Sequence, residues 1–254
     1  MNFTGKTALI TGAGQGIGFE IVNQLCAHGA TVVFNDIDKE VGQTALKRLS
    51  EYAGQVEFVA GDSGDLALID KMIERAIARF GKVDMAIANA GITTFGPFLT
   101  YDVQKFEQLM RVNLQGTFFL CQKVANQIIK QKTRGKLLLV SSTTSLRSHP
   151  DLEAYGMTKA GIRFLAEALS VQLAPKNILV NCVTPGATAT ERTVSVSDYE
   201  EGWAKLIPNG RVAKTIDIAN AALFLLSDLA DDINGQNIVV DGGWSGTGPM
   251  PDSI

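Results

Sequence analysis

The sequence is poor in cysteine and histidine, and this shortage excludes most metal and redox chemistry. Cys26, Cys121 and Cys182 are odd in number and far apart, and none of them has C-x-x-C spacing. The two histidines, His28 and His149, neighbour none of these cysteines and cannot complete a standard zinc site with them. We therefore predict reduced, packed thiols and no metal site.

The sequence also lacks targeting signals and a strong charge imbalance. It has no run of about 18 apolar residues, so no membrane-spanning helix is expected. Residues 1–6 lack a basic segment followed by an apolar stretch, so no signal peptide is expected either. The formal net charge of −3 offers no basic surface for nucleic acid or for an anionic membrane. These absences predict a cytoplasmic protein with no nucleic-acid and no membrane partner.

The 254 residues do contain a regular alternation of short apolar runs and amphipathic stretches. The runs are rich in branched residues, as in parallel strands that are covered on both faces. Because strand–helix alternation builds right-handed βαβ units, we predict an α/β fold: a Rossmann-type, doubly wound, seven-stranded parallel sheet in a single domain spanning 1–254. The strands are predicted at 7–10, 31–34, 56–59, 83–87, 137–140, 178–180 and 238–240, and the helices near 16–28, 39–51, 65–80, 102–132, 153–174 and 215–228.

One segment, 187–212, breaks this alternation. It is long, polar and mixed in composition, and it carries Trp203 and Pro208. Long insertions in α/β enzymes often act as lids, so we predict a substrate lid here, with a packed surface excursion as the alternative. For Trp203 and Trp244, packing in the core is expected rather than contact with substrate.

A glycine cluster follows the first predicted strand and precedes the first predicted helix. Residues 11–18 have the pattern T-G-x-x-x-G-x-G, whereas the strict G-x-G-x-x-G pattern is absent. Glycines let the backbone approach a pyrophosphate, and the helix N-terminus adds unpaired N–H groups and a positive dipole end. A purely structural turn is the alternative, but the position between strand and helix favours phosphate binding. The predicted cofactor contacts here are Gly12, Gln15, Gly16, Ile17 and Gly18.

Two residues indicate which dinucleotide is bound. Asp36 ends the second predicted strand, 18 residues after Gly18. A carboxylate at this place can accept hydrogen bonds from the adenosine ribose and would repel a 2′-phosphate. Gln15 stands in the glycine loop where an arginine or lysine would help to bind NADP. We therefore predict NAD as the cofactor, with capping of the following helix as the alternative role for Asp36.

Tyr155 and Lys159 are spaced i, i+4 on a predicted helix, which places them on one helix face. A lysine ammonium beside a phenol favours the phenolate and lowers the tyrosine pKa from about 10. Such a tyrosine can act as a general acid/base for an alcohol or ketone. Ser141 and Ser142 end a predicted strand, and the carboxyl ends of strands are where sheets of this type place their sites. Tyrosine–lysine pairs with this spacing are common by chance, so the pair alone does not identify an enzyme.

Several motifs occur together, in one order, along nearly the whole chain. In this combination the sequence resembles the short-chain dehydrogenase/reductase family, which implies a nicotinamide-dependent oxidoreductase. One minor departure is Ala88, which stands where the family motif has a further asparagine before Asn89. The matching motifs are T-G-x-x-x-G-x-G at 11–18, Asn89-Ala90-Gly91, Asn113, Ser142, Tyr155-x-x-x-Lys159, Pro185-Gly186 with Thr190, and Val240-Asp241-Gly242-Gly243.

The resemblance implies a role for each matching residue. Tyr155 would transfer the proton, and Lys159 would lower the pKa of that tyrosine and hold the nicotinamide ribose. Ser142 would hydrogen-bond the substrate oxygen; it is preferred over Ser141 because it lies thirteen residues before the tyrosine, the usual family spacing. Asn113 would anchor the water of a proton relay. The other implied cofactor contacts are Asp62, Ser63, Asn89, Gly91, Pro185, Gly186, Thr188 and Thr190, together with Tyr155 and Lys159.

The resulting prediction is an NAD(H)-dependent oxidoreductase that interconverts a secondary alcohol, such as a sugar, polyol or cyclic alcohol, and a ketone. Two alternatives are an NADPH-dependent 3-oxoacyl-thioester reductase and a nucleotide-sensing protein without catalytic activity. In the resembled family, helices such as 102–132 and 153–174 pair across subunits, so a homotetramer is predicted. Residues predicted to face the substrate are Thr93, Thr94, Phe95, Thr144, His149 and Leu152.

Overall fold

The computed structural model describes residues 1–193 and 198–247. Seven strands form the main sheet: β1 (Thr7–Ile10), β2 (Thr31–Asp36), β3 (Val56–Ala60), β4 (Met85–Ala88), β5 (Gly135–Val140), β6 (Ile178–Pro185) and β9 (Asn237–Val240). They are parallel and lie in the order β3-β2-β1-β4-β5-β6-β9. The order reverses between β1 and β4, as in a doubly wound sheet. The predicted seven-stranded, Rossmann-type, single-domain fold is confirmed.

Helices cover both faces of this sheet. Alternate strand residues point to opposite faces, so each face has its own apolar core. Ile10 of β1 lies in one core and its neighbour Leu9 in the other, and both are fully buried. The helices are α1 (Gly16–Ala27), α2 (Lys39–Arg48), α3 (Leu66–Phe80), α4 (Val103–Leu109), α5 (Gly116–Gln131), α6 (Glu153–Leu173), α7 (Tyr199–Ala204) and α8 (Thr215–Leu226). Helices α1 and α8 pack on the Ile10 face, and α3, α5 and α6 on the Leu9 face.

The predicted helix 102–132 differs from the observed one in a way that matters for the site. The chain forms α4, then a π-helical turn at Met110–Gln115, and then α5. A π turn takes one more residue than an α turn and often marks a functional position. Asn113 lies in this turn and is fully buried.

The segment 187–212 contains more regular structure than its composition predicted. A strand, β7 (Thr188–Ala189), pairs in parallel with β8 (Ala213–Lys214), and α7 lies between them. Positions 194–197 of this segment, and the C-terminal tail from 248 to 254, lie outside the described residues. Among the residues that are described, no helix is long and apolar enough to cross a membrane.

The three cysteines are free and buried. Burial raises the pKa of the Cys26 and Cys121 thiols to about 12 and that of Cys182 to about 11. Thiols with such pKa values stay protonated and unreactive. The cysteines therefore act as small apolar core residues, as the sequence predicted.

Candidate active site

A cleft opens at the carboxyl edge of the sheet, where the strand order reverses. Strands β1 and β2 deliver the glycine loop and Asp36 to one end of it, and β4 delivers Asn89. Strands β5 and β6 deliver Ser142 and Pro185 to the other end. Ligands of open α/β sheets bind at such a switch point. We call these two ends the nucleotide half and the substrate half of the cleft.

The glycine loop in the nucleotide half needs its glycines for steric reasons. Gly12 and Gly16 both have φ of +62°, a region that residues with a side chain rarely adopt. A Cβ on Gly12 would lie 2.7 Å from Cα of Ala90, and a Cβ on Gly14 would lie 2.8 Å from Oδ2 of Asp36. The backbone is therefore close to β4 on one side and to β2 on the other.

Two asparagines, the buried Asn35 and the partly buried Asn89, hold this loop in place. The Asn89 side-chain amide donates to the carbonyls of Thr11 (3.0 Å) and Gly12 (2.7 Å). The backbone N–H of Gly12 donates to Oδ1 of Asn35 (3.1 Å), and the side-chain nitrogen of Asn35 donates to the Gly61 carbonyl (2.8 Å). These bonds tie the loop to β2, to the residue after β4 and, through Asn35, to the residue after β3. The side chains of Asn35 and Asn89 thus set the shape of the loop.

Asp36 lies at the end of β2 and is 8% exposed. One of its oxygens accepts from the backbone N–H of Gly14 (3.0 Å) and the other from that of Asp38 (3.1 Å). The alternative role as a helix cap is wrong, because Asp38 caps α2 by accepting from Glu40 and Val41. Asp36 keeps free lone pairs toward the cleft that it lines.

The nucleotide half fits the dinucleotide that the fold implies. The N-cap residue of α1, Gln15, makes no side-chain bond to the first turn, so the N–H groups of this turn other than that of Gly16, which donates to Glu191 (2.9 Å), suit an anion. The glycine loop lines this half of the cleft, and a side chain on Gly12 or Gly14 would clash with Ala90 or Asp36. The predicted cofactor contacts that line this half are Gly12, Gln15, Gly16, Ile17, Gly18, Asp36, Asp62, Ser63, Asn89, Gly91 and Thr190.

Asp62 and Ser63 close the far side of the nucleotide half. Asp62 accepts from the backbone N–H of Gly64 (2.8 Å) and forms an ion pair with Arg111 (2.6 Å). Ser63 is 7% exposed. The Asp62 carboxylate thus shapes the wall through its bonds to Gly64 and Arg111.

The substrate half brings together the residues predicted for catalysis. Tyr155 and Lys159 lie on the first two turns of α6 and line the cleft with Ser142. The Lys159 ammonium is 4% exposed, donates to the Val140 carbonyl (2.9 Å) and lies 5.7 Å from the centre of the Tyr155 ring. The remaining predicted cofactor contacts, Pro185, Gly186 and Thr188, line the same half.

The two neighbouring serines have different environments. Ser141 is buried, and its hydroxyl donates to the Lys159 carbonyl (2.8 Å). Ser142 lines the cleft, and its hydroxyl oxygen accepts from the backbone N–H of Thr144 (3.3 Å). An oxygen that accepts this bond leaves its own proton available for a ligand. The structure therefore places Ser142, and not Ser141, where a substrate oxygen can be contacted.

Asn113 is linked to the site by hydrogen bonds of its side chain. Its side chain exchanges hydrogen bonds with the backbone of Ile92 (2.9 and 3.0 Å) and donates to the Thr158 hydroxyl (3.1 Å). A Cβ on Gly91 would lie 3.2 Å from the Lys159 nitrogen and 3.4 Å from Oδ1 of Asn113. The asparagine thus joins the π turn, the chain after β4 and α6 within one small buried region.

An aromatic cluster, which the sequence did not reveal, lies beside the substrate half. His149 stacks on Trp244 with ring centres 5.3 Å apart, and Trp203 packs edge-on against both rings. Tyr199 lines the cleft with Tyr155 and lies 6.4 Å from Trp203. The expectation that the tryptophans are core residues is wrong, since both are only partly buried and belong to neither apolar core.

Of the residues predicted to face substrate, Thr93 lines the cleft itself. The Thr94 hydroxyl bonds to that of Tyr101 (2.5 Å), and Phe95 is 64% exposed. Thr144, His149 and Leu152 line an adjoining recess. The sequence reasoning missed Tyr199 and Glu191, because neither belongs to a recognisable motif.

Comparisons with known proteins agree with this geometry. A family model described as enoyl-(acyl carrier protein) reductase matches residues 12–245. The 3-oxoacyl-[acyl-carrier-protein] reductase FabG of Chlamydia trachomatis is 36% identical to this chain over 242 residues. The matched region covers 94% of this chain and 97% of that relative.

Solved structures extend the similarity to the whole fold. A short-chain type dehydrogenase/reductase from Mycobacterium marinum is 28% identical, with a TM-score of 0.90 and 96% of both chains covered. A gluconate 5-dehydrogenase from Burkholderia cenocepacia, in complex with NADP and tartrate, is 31% identical, with a TM-score of 0.88 and 97% of both chains covered. The sequence motifs, the cleft and these similarities lead to one conclusion: the chain belongs to the short-chain dehydrogenase/reductase family of oxidoreductases.

Proposed function

We propose that this protein interconverts a secondary alcohol and a ketone with NAD(H), using Ser142, Tyr155, Lys159 and Asn113. The observation that carries the proposal is the meeting of Ser142, Tyr155 and Lys159 in one cleft that continues into the nucleotide half. A bound nicotinamide would supply or accept the hydride. The protein's own residues would bind the substrate oxygen and move the proton.

Each residue of the substrate half has a task that its environment supports. The Ser142 and Tyr155 hydroxyls would both contact the substrate oxygen, where charge develops during the reaction. Lys159 is buried and its ammonium donates to the Val140 carbonyl, so its positive charge is held near the Tyr155 ring. Asn113, through its hydrogen bonds to Ile92, would hold the chain after β4 away from the space that the ligand occupies.

The proposal includes a preference for NAD over NADP. Asp36 presents a carboxylate at the end of β2, and the next residue, Ile37, is 68% exposed and apolar. Gln15 adds no charge to the glycine loop. A 2′-phosphate at this end would therefore meet the negative charge of Asp36 and no positive charge on Gln15 or Ile37. The gluconate 5-dehydrogenase of similar structure was solved with NADP, so the preference must be tested directly.

A hydroxylated, compact substrate is proposed for the substrate half. The buried hydroxyls of Thr144 and Ser145 have no hydrogen-bond partner within the described part of the chain, and polar groups in this state favour a ligand that bonds to them. The His149, Trp203 and Trp244 rings beside them offer flat faces to a sugar or another ring. We further propose that 187–212 acts as a lid over this half.

A second candidate is an NADPH-dependent 3-oxoacyl-thioester reductase. The similarity to the 3-oxoacyl-[acyl-carrier-protein] reductase of Chlamydia trachomatis favours this substrate class, and the matching family model is likewise named for a reductase of carrier-bound acyl groups. Asp36 speaks against NADPH. A nucleotide-sensing protein without catalysis is less well supported, because Ser142, Tyr155 and Lys159 are all in place.

We also propose a homotetramer. The outer faces of α5 and α6 expose Phe118, Phe164 and Val171, which are 43%, 69% and 77% exposed. The region near α8 exposes a second apolar area, with Leu229 73% and Phe224 37% exposed. Two separate apolar faces fit two different two-fold axes. A cytoplasmic location is part of the proposal, since three free thiols suit a reducing compartment.

The test is a panel of secondary alcohols, sugar acids and 3-oxoacyl thioesters, each assayed with both cofactors for the wild type and for Tyr155→Phe. We expect turnover of a hydroxylated alcohol with NAD that Tyr155→Phe abolishes. Turnover of a thioester with NADPH as the best pair would favour the second candidate. Binding of NADH with no turnover of any member of the panel would favour the sensing protein.

A further inference from the structure

The Glu191 carboxylate lies at the N-terminus of α1, where backbone N–H groups favour an anion. Its Oε2 accepts from the backbone N–H of Gly16 (2.9 Å), at the N-terminus of α1. Its Oε1 accepts from the guanidinium of Arg48 (3.3 Å) on α2, which also lies over the Phe19 ring (3.8 Å). The protein's own carboxylate therefore already bonds to the turn that receives a pyrophosphate in a dinucleotide site.

A tight turn fixes Glu191 at this position. Thr190 and Thr193 are its ends: the Thr193 N–H donates to the Thr190 carbonyl (3.0 Å), and the Thr190 N–H donates to the Thr193 hydroxyl oxygen (2.8 Å). The Thr190 side chain packs on Gly16: a Cβ placed on Gly16 would lie 3.5 Å from the Thr190 methyl carbon. Glu191 is thus held by the loop that also carries a predicted cofactor contact.

The carboxylate is charged in this position. Burial alone would raise the pKa of Glu191, but the hydrogen bonds from its own and the Gly16 N–H groups, together with Arg48, outweigh burial and hold its pKa below its ordinary value. A negative charge beside the N-terminus of α1 opposes a second anion there. Arg48 is half-exposed and neutralises it only in part.

We propose that Glu191 is an affinity-determining residue: its carboxylate competes with the pyrophosphate of the dinucleotide for the first turn of α1, so that it weakens binding of the cofactor and speeds its release. This inference rests on the proposed cofactor. Its expected size is that of one charge at a helix N-terminus, about two- to fivefold in Kd.

The experiment is calorimetric titration of adenosine, ADP and NADH into the wild type, Glu191→Gln and Glu191→Ala. Both variants should bind ADP and NADH about two- to fivefold more tightly, with slower release of NADH in stopped-flow measurements. Adenosine lacks phosphate, so its Kd should not change. Glu200→Gln, an exposed residue of α7, is the matched control, because it removes the same charge from the same segment.

Each result has a clear meaning. Unchanged or weaker ADP and NADH binding in both variants would overturn the inference and assign Glu191 a supporting role in the loop. Equal tightening in Glu200→Gln would overturn it too, since the effect would then be one of net charge. Failure of wild-type protein to bind either nucleotide would overturn the proposed function itself, and this inference with it.

Discussion

The nucleotide half and the substrate half of the cleft differ in what fixes their side chains. In the nucleotide half, the side chains of Asn35 and Asn89 bond directly to the glycine-loop backbone. In the substrate half, His149, Trp203 and Trp244 touch mainly one another, and all three are only partly buried. Substitutions that remove hydrogen bonds to the glycine-loop backbone should disturb its shape. A partly exposed ring can be replaced with less effect on the rings beside it.

This difference separates the two properties that the enzyme needs. The nucleotide half binds the same kind of group in every turnover, so a rigid, preformed surface lowers the cost of binding. The substrate half must suit one substrate among many, and residues far apart in the chain form its outer wall. Substitutions should therefore affect either cofactor binding or substrate choice, and seldom both.

The largest effect is expected at Tyr155, where the two halves meet. Tyr155→Phe removes the proton carrier, so kcat should fall by about a thousandfold, within the range of general acid–base catalysis. The Kd of NADH should stay within about twofold, because the glycine loop and Asp36, and not this phenol, are expected to anchor the cofactor. Steady-state assays and fluorescence titration measure the two quantities. Tyr52→Phe, far from the cleft, is the control. Near wild-type turnover in Tyr155→Phe would contradict the assignment of Tyr155 as the proton carrier.

The next effect concerns cofactor choice. Asp36→Ala removes the carboxylate that is proposed to repel a 2′-phosphate, so the ratio of kcat/KM for NAD to that for NADP should fall about 10- to 100-fold. Affinity for both cofactors should also fall, since the Gly14 N–H loses its acceptor. Asp38→Asn, which alters the adjacent helix cap, is the matched control. An unchanged ratio would show that another residue sets the preference.

A smaller effect is expected in the aromatic wall. Trp203→Ala removes its contacts with His149, Trp244 and Tyr199, so KM for the alcohol should rise about tenfold, the size of one or two aromatic contacts. The Kd of NADH should not change, which would separate the halves cleanly. Leu206→Ala, exposed just after α7, serves as control. A parallel loss of NADH affinity would mean that the wall also supports the nucleotide half.

The smallest effect concerns acid. Burial alone would raise the pKa of Asp241, but hydrogen bonds from Ser245 and Gly243 outweigh it and hold this pKa below its ordinary value. The folded pKa is depressed, so the bonds stabilise the turn above the unfolded value of about 3.9 and are lost as pH falls through the folded pKa. Trp244 fluorescence should therefore change below about pH 4. The change should be smaller in Asp241→Asn, and an identical acid response in that variant would contradict the assignment.

The same comparison explains what could be predicted from sequence. Dinucleotide binding requires glycines and a carboxylate at fixed places after β1 and β2. These residues of the nucleotide half could therefore be predicted from the sequence. The substrate wall joins His149, Trp203 and Trp244, which are far apart in the chain and share no spacing. Their meeting depends on tertiary packing, so the tryptophans were misassigned to the core. The alternative role of Asp36 as a helix cap was wrong because Asp38, two residues later, is the N-cap residue of α2.

The π turn at Met110–Gln115 has a consequence for chain length. This turn holds one residue more than an α turn, so deletion of one residue here would let α4 and α5 join as one regular α-helix, with little change in the face that α5 turns to its core. Leu120, Val124 and Ile128, all fully buried, would keep their positions, whereas Asn113 would lose its bonds to Ile92. We therefore expect a one-residue deletion in this turn to leave the fold intact and to break the link between the turn and the chain after β4.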